Sequence, residues 1–186
     1  MIQIAIISSS IRKDRKSNRV ALFFKYYLEE NNLAQVDLLD LKEYAFPLFD
    51  ERLKFQENPS ANTLDFAEKI RKSDGVIIVS PEYNGSIPAS LKNVIDLLTD
   101  DWKGKPIAIS TVSSGIFAGS QVLGAIQFTL WKIRAWTVPA LFPVPEIEKS
   151  FDENGNPSDK TTSEKRALNF LNELFWCIEA KKRMIN

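Results

Sequence analysis

Histidine is missing from this 186-residue sequence altogether. Its absence excludes Ser-His-Asp and Cys-His nucleophilic machinery, H-E-x-x-H metal sites and any histidine acid–base step. Whatever chemistry the chain performs must run through carboxylates, lysine, tyrosine, serine or a bound cofactor. Cysteine is reduced to Cys177, which leaves no internal disulfide. With no signal-peptide pattern at the start, a cytoplasmic protein is expected. No apolar stretch approaches the roughly 20 residues of a spanning helix, so no membrane partner is expected either. Net charge is lacking too: 24 basic side chains balance 24 acidic ones, which leaves no global field to draw the chain to nucleic acid. Any charged ligand has to be held locally.

What is present suits one compact domain over residues 1–186, with 44% hydrophobic and 26% charged residues and no internal repeat or linker. Short apolar runs alternate with helical periodicity. Ile2 to Ile7 reads as a parallel strand covered on both faces, and from Ser17 onward Val20, Ala21, Phe23, Phe24, Tyr27 and Leu28 recur at helical spacing, with Ser17 or Asn18 as the cap. Gln35 to Leu39 reads as a second strand, Asp40 to Ser60 as a long loop, and Asn62 to Lys72 as a helix with Leu64, Phe66, Ala67 and Ile70 apolar. Gly75 to Ser80 holds four β-branched residues in a row, the clearest buried strand. A helix from about Pro88 to Leu98, a strand from Lys105 to Val112 and a helix from about Gly119 to Ala135 follow. A strand from Thr137 to Phe142 comes next, and a helix from about Thr162 to Lys182 bears Leu168, Leu171, Leu174, Phe175 and Ile178 on one stripe. Trp102, Trp131 and Trp136 read mainly as core filling.

Five β-α repeats with right-handed crossovers predict a parallel sheet covered on both faces. Five strands favour the order 2-1-3-4-5 over the six-stranded dinucleotide order. In such sheets ligands bind at the carboxyl ends of the strands, and the unusual loops lie there. The first loop runs Ser8-Ser-Ser-Ile-Arg12-Lys-Asp-Arg15-Lys-Ser17-Asn18 and sets hydroxyls, backbone N–H groups and two arginines at the start of a helix, where a phosphate fits. It is neither a Walker A sequence nor G-x-G-x-x-G, which disfavours NTP hydrolysis and a Rossmann grip. The second, Pro81-Glu82-Tyr83-Asn84-Gly85-Ser86-Ile87-Pro88, is stiffened by two prolines, with Gly85 letting backbone approach a flat heteroaromatic ring. The third is Ser113-Ser114-Gly115, with Gly119 beyond it.

These residues resemble the NADPH-dependent FMN reductase family, flavodoxin-like α/β three-layer sandwiches that include quinone, azo-dye and chromate reductases. The P-E-Y-N-G-S-I-P run carries the likeness, together with Ser9-Ser10-Ile11-Arg12 in place of the family's Gly-Ser-x-Arg. The resemblance implies that Ser10, Arg12, Arg15, Ser17 and Asn18 hold the FMN phosphate. It implies further that Pro81, Glu82, Tyr83, Asn84 and Gly85 contact the isoalloxazine, and that Ser113, Ser114 and Gly115 lie along the flavin. Ser9 departs from the family's glycine, and Ile116-Phe117-Ala118 replaces part of a glycine-rich loop, which makes Phe117 a candidate cover for the flavin face.

Hydride transfer from nicotinamide to flavin is the cofactor's own chemistry and requires no protein acid or base, so a chain without histidine suits it. The expected cycle is ping-pong: NAD(P)H reduces FMN and leaves, and a quinone, azo compound, metal oxyanion or free flavin takes its place. No residue is assigned as catalytic and no metal is expected. The family implies a homodimer or homotetramer, with the Tyr83 loop near the subunit contact. The rival reading is a flavodoxin-type electron carrier or redox sensor, which the balanced charge opposes. A phosphoacceptor receiver domain needs an acidic cluster at the strand ends, where this sequence has Ser, Pro and Gly instead.

Overall fold

A computed structural model describes residues 1–185, and residue 186 lies outside the described part. Five strands, β1 (Gln3–Ser8), β2 (Gln35–Asp40), β3 (Gly75–Pro81), β4 (Pro106–Val112) and β5 (Trp136–Val144), form one sheet in the order β2-β1-β3-β4-β5. Every neighbouring pair is parallel. This is the flavodoxin-like arrangement expected from the element order.

The side-chain period of two decides what each face buries. Ile4 and Ile6 of β1 and Ile77 and Val79 of β3 face one layer, built from α1 (Asn18–Glu30) and the long α7 (Lys160–Ile185). Ala5 and Ile7, with Val76 and Ile78, face the other, built from α3 (Ala61–Lys72), α4 (Ala89–Leu98) and α5 (Val122–Lys132). The first layer is aromatic: Phe23 and Phe24 of α1 pack on Phe142 of β5 and Phe170 of α7 at centroid separations of 4.9 to 6.0 Å. Phe23 is stacked on Phe142, and the other pairs are tilted or edge-on, geometries that aromatic quadrupoles favour. No helix among the described residues is long and apolar enough to cross a membrane.

Several sequence expectations shift in detail. The stretch Asp40 to Ser60 is not structureless. It contains α2 (Leu41–Tyr44), capped by the Asp40 carboxylate accepting from the Lys42 N–H at 3.0 Å, and a 3-10 turn at Leu53–Phe55. The helix expected from Gly119 begins at Val122, because Ala118 and Gly119 take successive left-handed conformations (φ 54° and 68°) that no α-helix accepts. Strand β5 extends to Val144, beyond the expected Phe142, and α6 (Ile147–Ser150) follows it.

Leu64 is exposed while Thr63 is buried, because the Ser60 hydroxyl caps α3 by accepting the Thr63 N–H and bonds its side chain, which turns that residue inward. On α7 the buried stripe is Ala167, Phe170, Leu171, Leu174, Cys177 and Ile178, while Leu168 is exposed and Phe175 only half-buried. The small residues mark where the helix lies nearest the sheet: a Cβ on Gly75 would sit 2.8 Å from Ile178 Cδ1. Trp102 is core, as expected, whereas Trp131 is exposed and Trp136 half-buried.

At the amino edge of the sheet, Lys105 is buried and donates from Nζ to the carbonyls of Ser73 at 2.5 Å and Arg71 at 3.3 Å, closing the end of α3. Burial pushes its ammonium pKa down to about 8, with neighbouring Lys181 adding to the effect.

Candidate active site

Strands β1, β3 and β4 lie side by side in register, Ser8 opposite Val79 and Val79 opposite Ser110, so the three unusual loops leave one edge of the sheet from adjacent strands. They enclose a cleft of about 270 Å³. Ser10, Arg12, Arg15 and Ser17 line it from the first loop, Pro81, Glu82 and Tyr83 from the second, and Ser113 and Ser114 from the third. Asn18, Asn84, Gly85 and Gly115 do not line it. Phe117 is exposed and stays off the cleft wall. The lining also includes Asp14, Lys16, Val112 and Ile147, which the sequence reading did not select. The first two could have been found from their place in the basic loop. Ile147 comes from α6 and carried no sequence signal.

The first loop is anchored at both ends. Ser9 is buried where the resembling family has glycine, and both its N–H and its hydroxyl donate to the Val79 carbonyl, at 3.2 and 2.9 Å. Arg15 is not a free cation. Its guanidinium makes a bidentate pair with the Asp40 carboxylate at the end of β2 and donates to the Ser10 carbonyl at 3.0 Å. The pair is charge-neutral as a unit, so Arg15 fixes the loop's shape, and Arg12 is the exposed cation facing the cleft. Asp40 was not among the residues singled out from sequence. At the other end of the loop Lys16 is paired with Glu148 of α6.

Ser17 precedes α1 and lies in helical backbone (φ −64°, ψ −23°), and its side chain makes no capping bond. Its hydroxyl is buried without a hydrogen-bond partner among the described residues, as is that of Ser8. A buried hydroxyl left in that state costs about 1 to 3 kcal/mol. Here it stands at the head of a 13-residue helix, whose Arg19 and Val20 N–H groups donate to the Lys16 and Ser17 carbonyls at 3.1 Å. An unengaged hydroxyl at the positive end of a helix has the chemistry to receive an anion.

The second loop folds as a tight turn. Tyr83 and Ser86 exchange both backbone hydrogen bonds, at 2.9 and 3.1 Å, around Asn84 and Gly85, which both have positive φ (51° and 77°). This is a type I′ turn, and it explains the Asn-Gly pair: glycine is there for the backbone conformation, while a Cβ would meet only Gln121 Oε1 at 3.7 Å. The Tyr83 hydroxyl lies 2.6 Å from Ser10 Oγ, and the Arg12 guanidinium lies 5.8 Å from its ring centroid, so the first two loops are joined. The Glu82 carboxylate accepts the Gln121 N–H at 3.0 Å, just ahead of α5, and is thereby occupied. The third loop is tied to the exit of β5 by Ser113 N–H to the Val144 carbonyl and Ile147 N–H to the Ser113 carbonyl, both 3.1 Å.

Comparison with known proteins accords with this geometry. Residues 2–149 match the NADPH-dependent FMN reductase family. The chain is 32% identical over 167 residues to a quinone reductase of Pseudomonas putida, covering 85% of this chain and 86% of that protein. It is 30% identical over 142 residues to an NAD(P)H-dependent FMN reductase of Saccharomyces cerevisiae, covering 69% and 73% respectively. Among solved structures, the flavoenzyme NAD(P)H:(acceptor) oxidoreductase FerB of Paracoccus denitrificans superposes with a TM-score of 0.75 over 96% of this chain and 98% of that one, at 22% identity. The shared strand order, the loop chemistry and these matches assign the chain to the NADPH-dependent FMN reductase family of flavodoxin-like oxidoreductases, to which it belongs.

Proposed function

We propose that this chain binds FMN in the three-loop cleft and passes electrons from NAD(P)H to a small acceptor, a quinone foremost. The observation that carries the assignment is the buried, unpartnered Ser17 hydroxyl at the head of α1 inside that cleft. A monophosphate there would receive the hydroxyl and Arg12 within the helix-end field, each charge-assisted bond contributing about 1.5 to 3 kcal/mol. The Tyr83 turn and the Ser113-Ser114 loop would flank the flat ring. When bound, FMN supplies hydride acceptance and release. The protein contributes position: loops cross-tied by Ser10–Tyr83 and Glu82–Gln121 hold the ring in place. In the net reaction NADPH gives up two electrons and a proton, a second proton comes from solvent, and the quinone leaves as hydroquinone. We read the exchange as ping-pong, with donor and acceptor using one face in turn, and place it in the cytoplasm.

Reconstitution decides the matter. The protein with FMN should show a bound flavin spectrum and oxidise NADPH when a benzoquinone is present; failure of both would remove the reading. Ser17→Ala should weaken FMN about tenfold while leaving the flavin-free protein as stable or slightly more so, since it deletes an unsatisfied hydroxyl.

The same reading includes self-association through α5. Among its 11 residues, VLGAIQFTLWK, only Lys132 is charged, and Phe128 (63% exposed) and Trp131 (66% exposed) stand in solvent with their rings 5.9 Å apart. A helix that leaves two large aromatic rings in solvent is normally covered, and a second copy presents the same face. Phe128→Glu with Trp131→Glu should convert a dimer to a monomer in light scattering; a wild-type monomer at high micromolar concentration would refute the pairing.

A further inference from the structure

A second depression of about 340 Å³ lies on the other side of the first loop from the FMN cleft. Ile11, Ala45, Phe46, Pro47, Leu48 and Ala89 form its apolar surface. Its size falls within the range of small-molecule sites. The depression and the cleft share a wall: Ile11 lines the one, and its neighbours Ser10 and Arg12 line the other.

Apart from Lys42, its polar side chains are committed to holding the walls. The Asn93 amide donates to the Pro47 carbonyl at 2.9 Å, and its oxygen accepts the Phe49 N–H at 2.5 Å, which pins the Pro47–Phe49 segment against α4. The Ser90 hydroxyl donates to the Ser9 carbonyl at 2.5 Å, pinning the first loop to α4. Phe46 is stacked on Tyr44 at 5.3 Å and set edge-on to Phe66 at 5.4 Å. The walls are therefore fixed, yet Ile11 and Leu48 remain exposed at the rim. A pinned loop that leaves a leucine in solvent has an apolar surface ready for an apolar occupant.

Resting on the quinone-reductase reading above, we propose that this depression receives the aliphatic chain of the acceptor, and that the preferred substrates are quinones bearing an alkyl or prenyl substituent. The ring reacts in the cleft while the chain crosses Ile11 and lies between Leu48 and Ala89. The occupant is apolar because, among the described residues, no unengaged hydrogen-bonding side chain other than Lys42 borders the depression. The continuity of its wall with the cleft ties it to the substrate that enters there. The reaction balances as before, since the chain takes no part in it.

The test compares 2,3-dimethoxy-5-methyl-1,4-benzoquinone with its 6-decyl derivative on the FMN-loaded enzyme, below the solubility limit of each. The decyl chain should lower KM about tenfold at similar kcat. Ala89→Phe, which fills the depression, and Leu48→Glu, which makes its rim polar, should each abolish that advantage without moving KM for the chainless quinone. Equal KM values for the two quinones in the wild type, or an advantage that survives both substitutions, would overturn the proposal. A redox-inert analogue, decyl-2,5-dimethoxybenzene, is titrated in parallel into methyl-labelled protein. Shifts at Ile11, Ala45, Leu48 and Ala89 support the pocket, and shifts confined to the α5 face count against it. If neither quinone is reduced, the oxidoreductase reading fails, and the inert analogue still decides the pocket.

Discussion

Substituting Asp40→Asn separates two roles for Arg15, loop staple and direct phosphate ligand. The side chains are 10% and 19% exposed, and the pair is bidentate. Exposed ion pairs contribute about 1 kcal/mol at most, and removing one partner of a fully buried pair costs about 3 to 5 kcal/mol. A pair of intermediate burial places the loss near 2 kcal/mol. Asparagine still caps α2, so the change isolates the charge. A chain of this length should then lose about 4 to 8 °C in Tm. Two effects on flavin affinity oppose each other. The unmasked Arg15 charge attracts phosphate, whereas the freed loop must be reordered on binding at about 1 to 2 kcal/mol for each residue released. Two residues released outweigh one solvated charge, so FMN affinity should fall about tenfold. Arg15→Ala should match it, and the double variant should be no worse than either single one, which a thermodynamic cycle from thermal melts and flavin titrations measures. Tighter flavin binding by Asp40→Asn, or additive losses, would refute the staple.

Further expectations concern the frame around the cleft. Lys105 binds its proton less tightly folded than unfolded, with a pKa of about 8 against an unfolded value of about 10.4. Between those limits the unfolded chain therefore holds more protons, and stability should rise with pH from 8 toward 10.4 by up to about 3 kcal/mol. Denaturant melts of wild type against Lys105→Met should show that rise shrinking in the variant, and an unchanged slope would acquit Lys105. Gly155→Ala should cost about 2 to 4 kcal/mol, because its φ is +86° and the new Cβ would meet Arg19 O and Phe23 N at 2.8 Å. A loss below about 0.5 kcal/mol in calorimetry would show that the loop yields. Gly85→Ala, strained by φ +77°, should lose about 1 kcal/mol and Gly85→Asn less, since asparagine tolerates that conformation; equal losses in melts would point to a different turn type.

The sheet could be read from the sequence because its strands are buried on both faces: runs such as Val76 to Val79 have no polar face for solvent to occupy. Strand order followed from count and handedness. That the three loops converge was equally legible, since loops that follow adjacent parallel strands emerge together at one edge. What the sequence did not give is pairing at a distance. That Asp40 neutralises Arg15, or that Glu82 is spent on Gln121, depends on residues 25 and 39 positions apart meeting in space. Glycine 85 was read for ligand approach, though the type I′ turn is what requires it. Helix faces were misjudged where small residues decide the packing, as Ala167 and Cys177 do in place of Leu168.

The late-sequence residues that pack on α1, Gly155 among them, have a bearing on how the protein is made. Arg19 donates to the Phe151 carbonyl across 132 positions, and Gly155 rests on the backbone of the same helix. Translation therefore delivers the turn at the head of α1 long before the segment that steadies it, and β5 and α7 also join late. A ribosome-stalled chain ending before Phe151 should not retain flavin, so the yellow colour of a lysate would count finished molecules and ignore nascent ones.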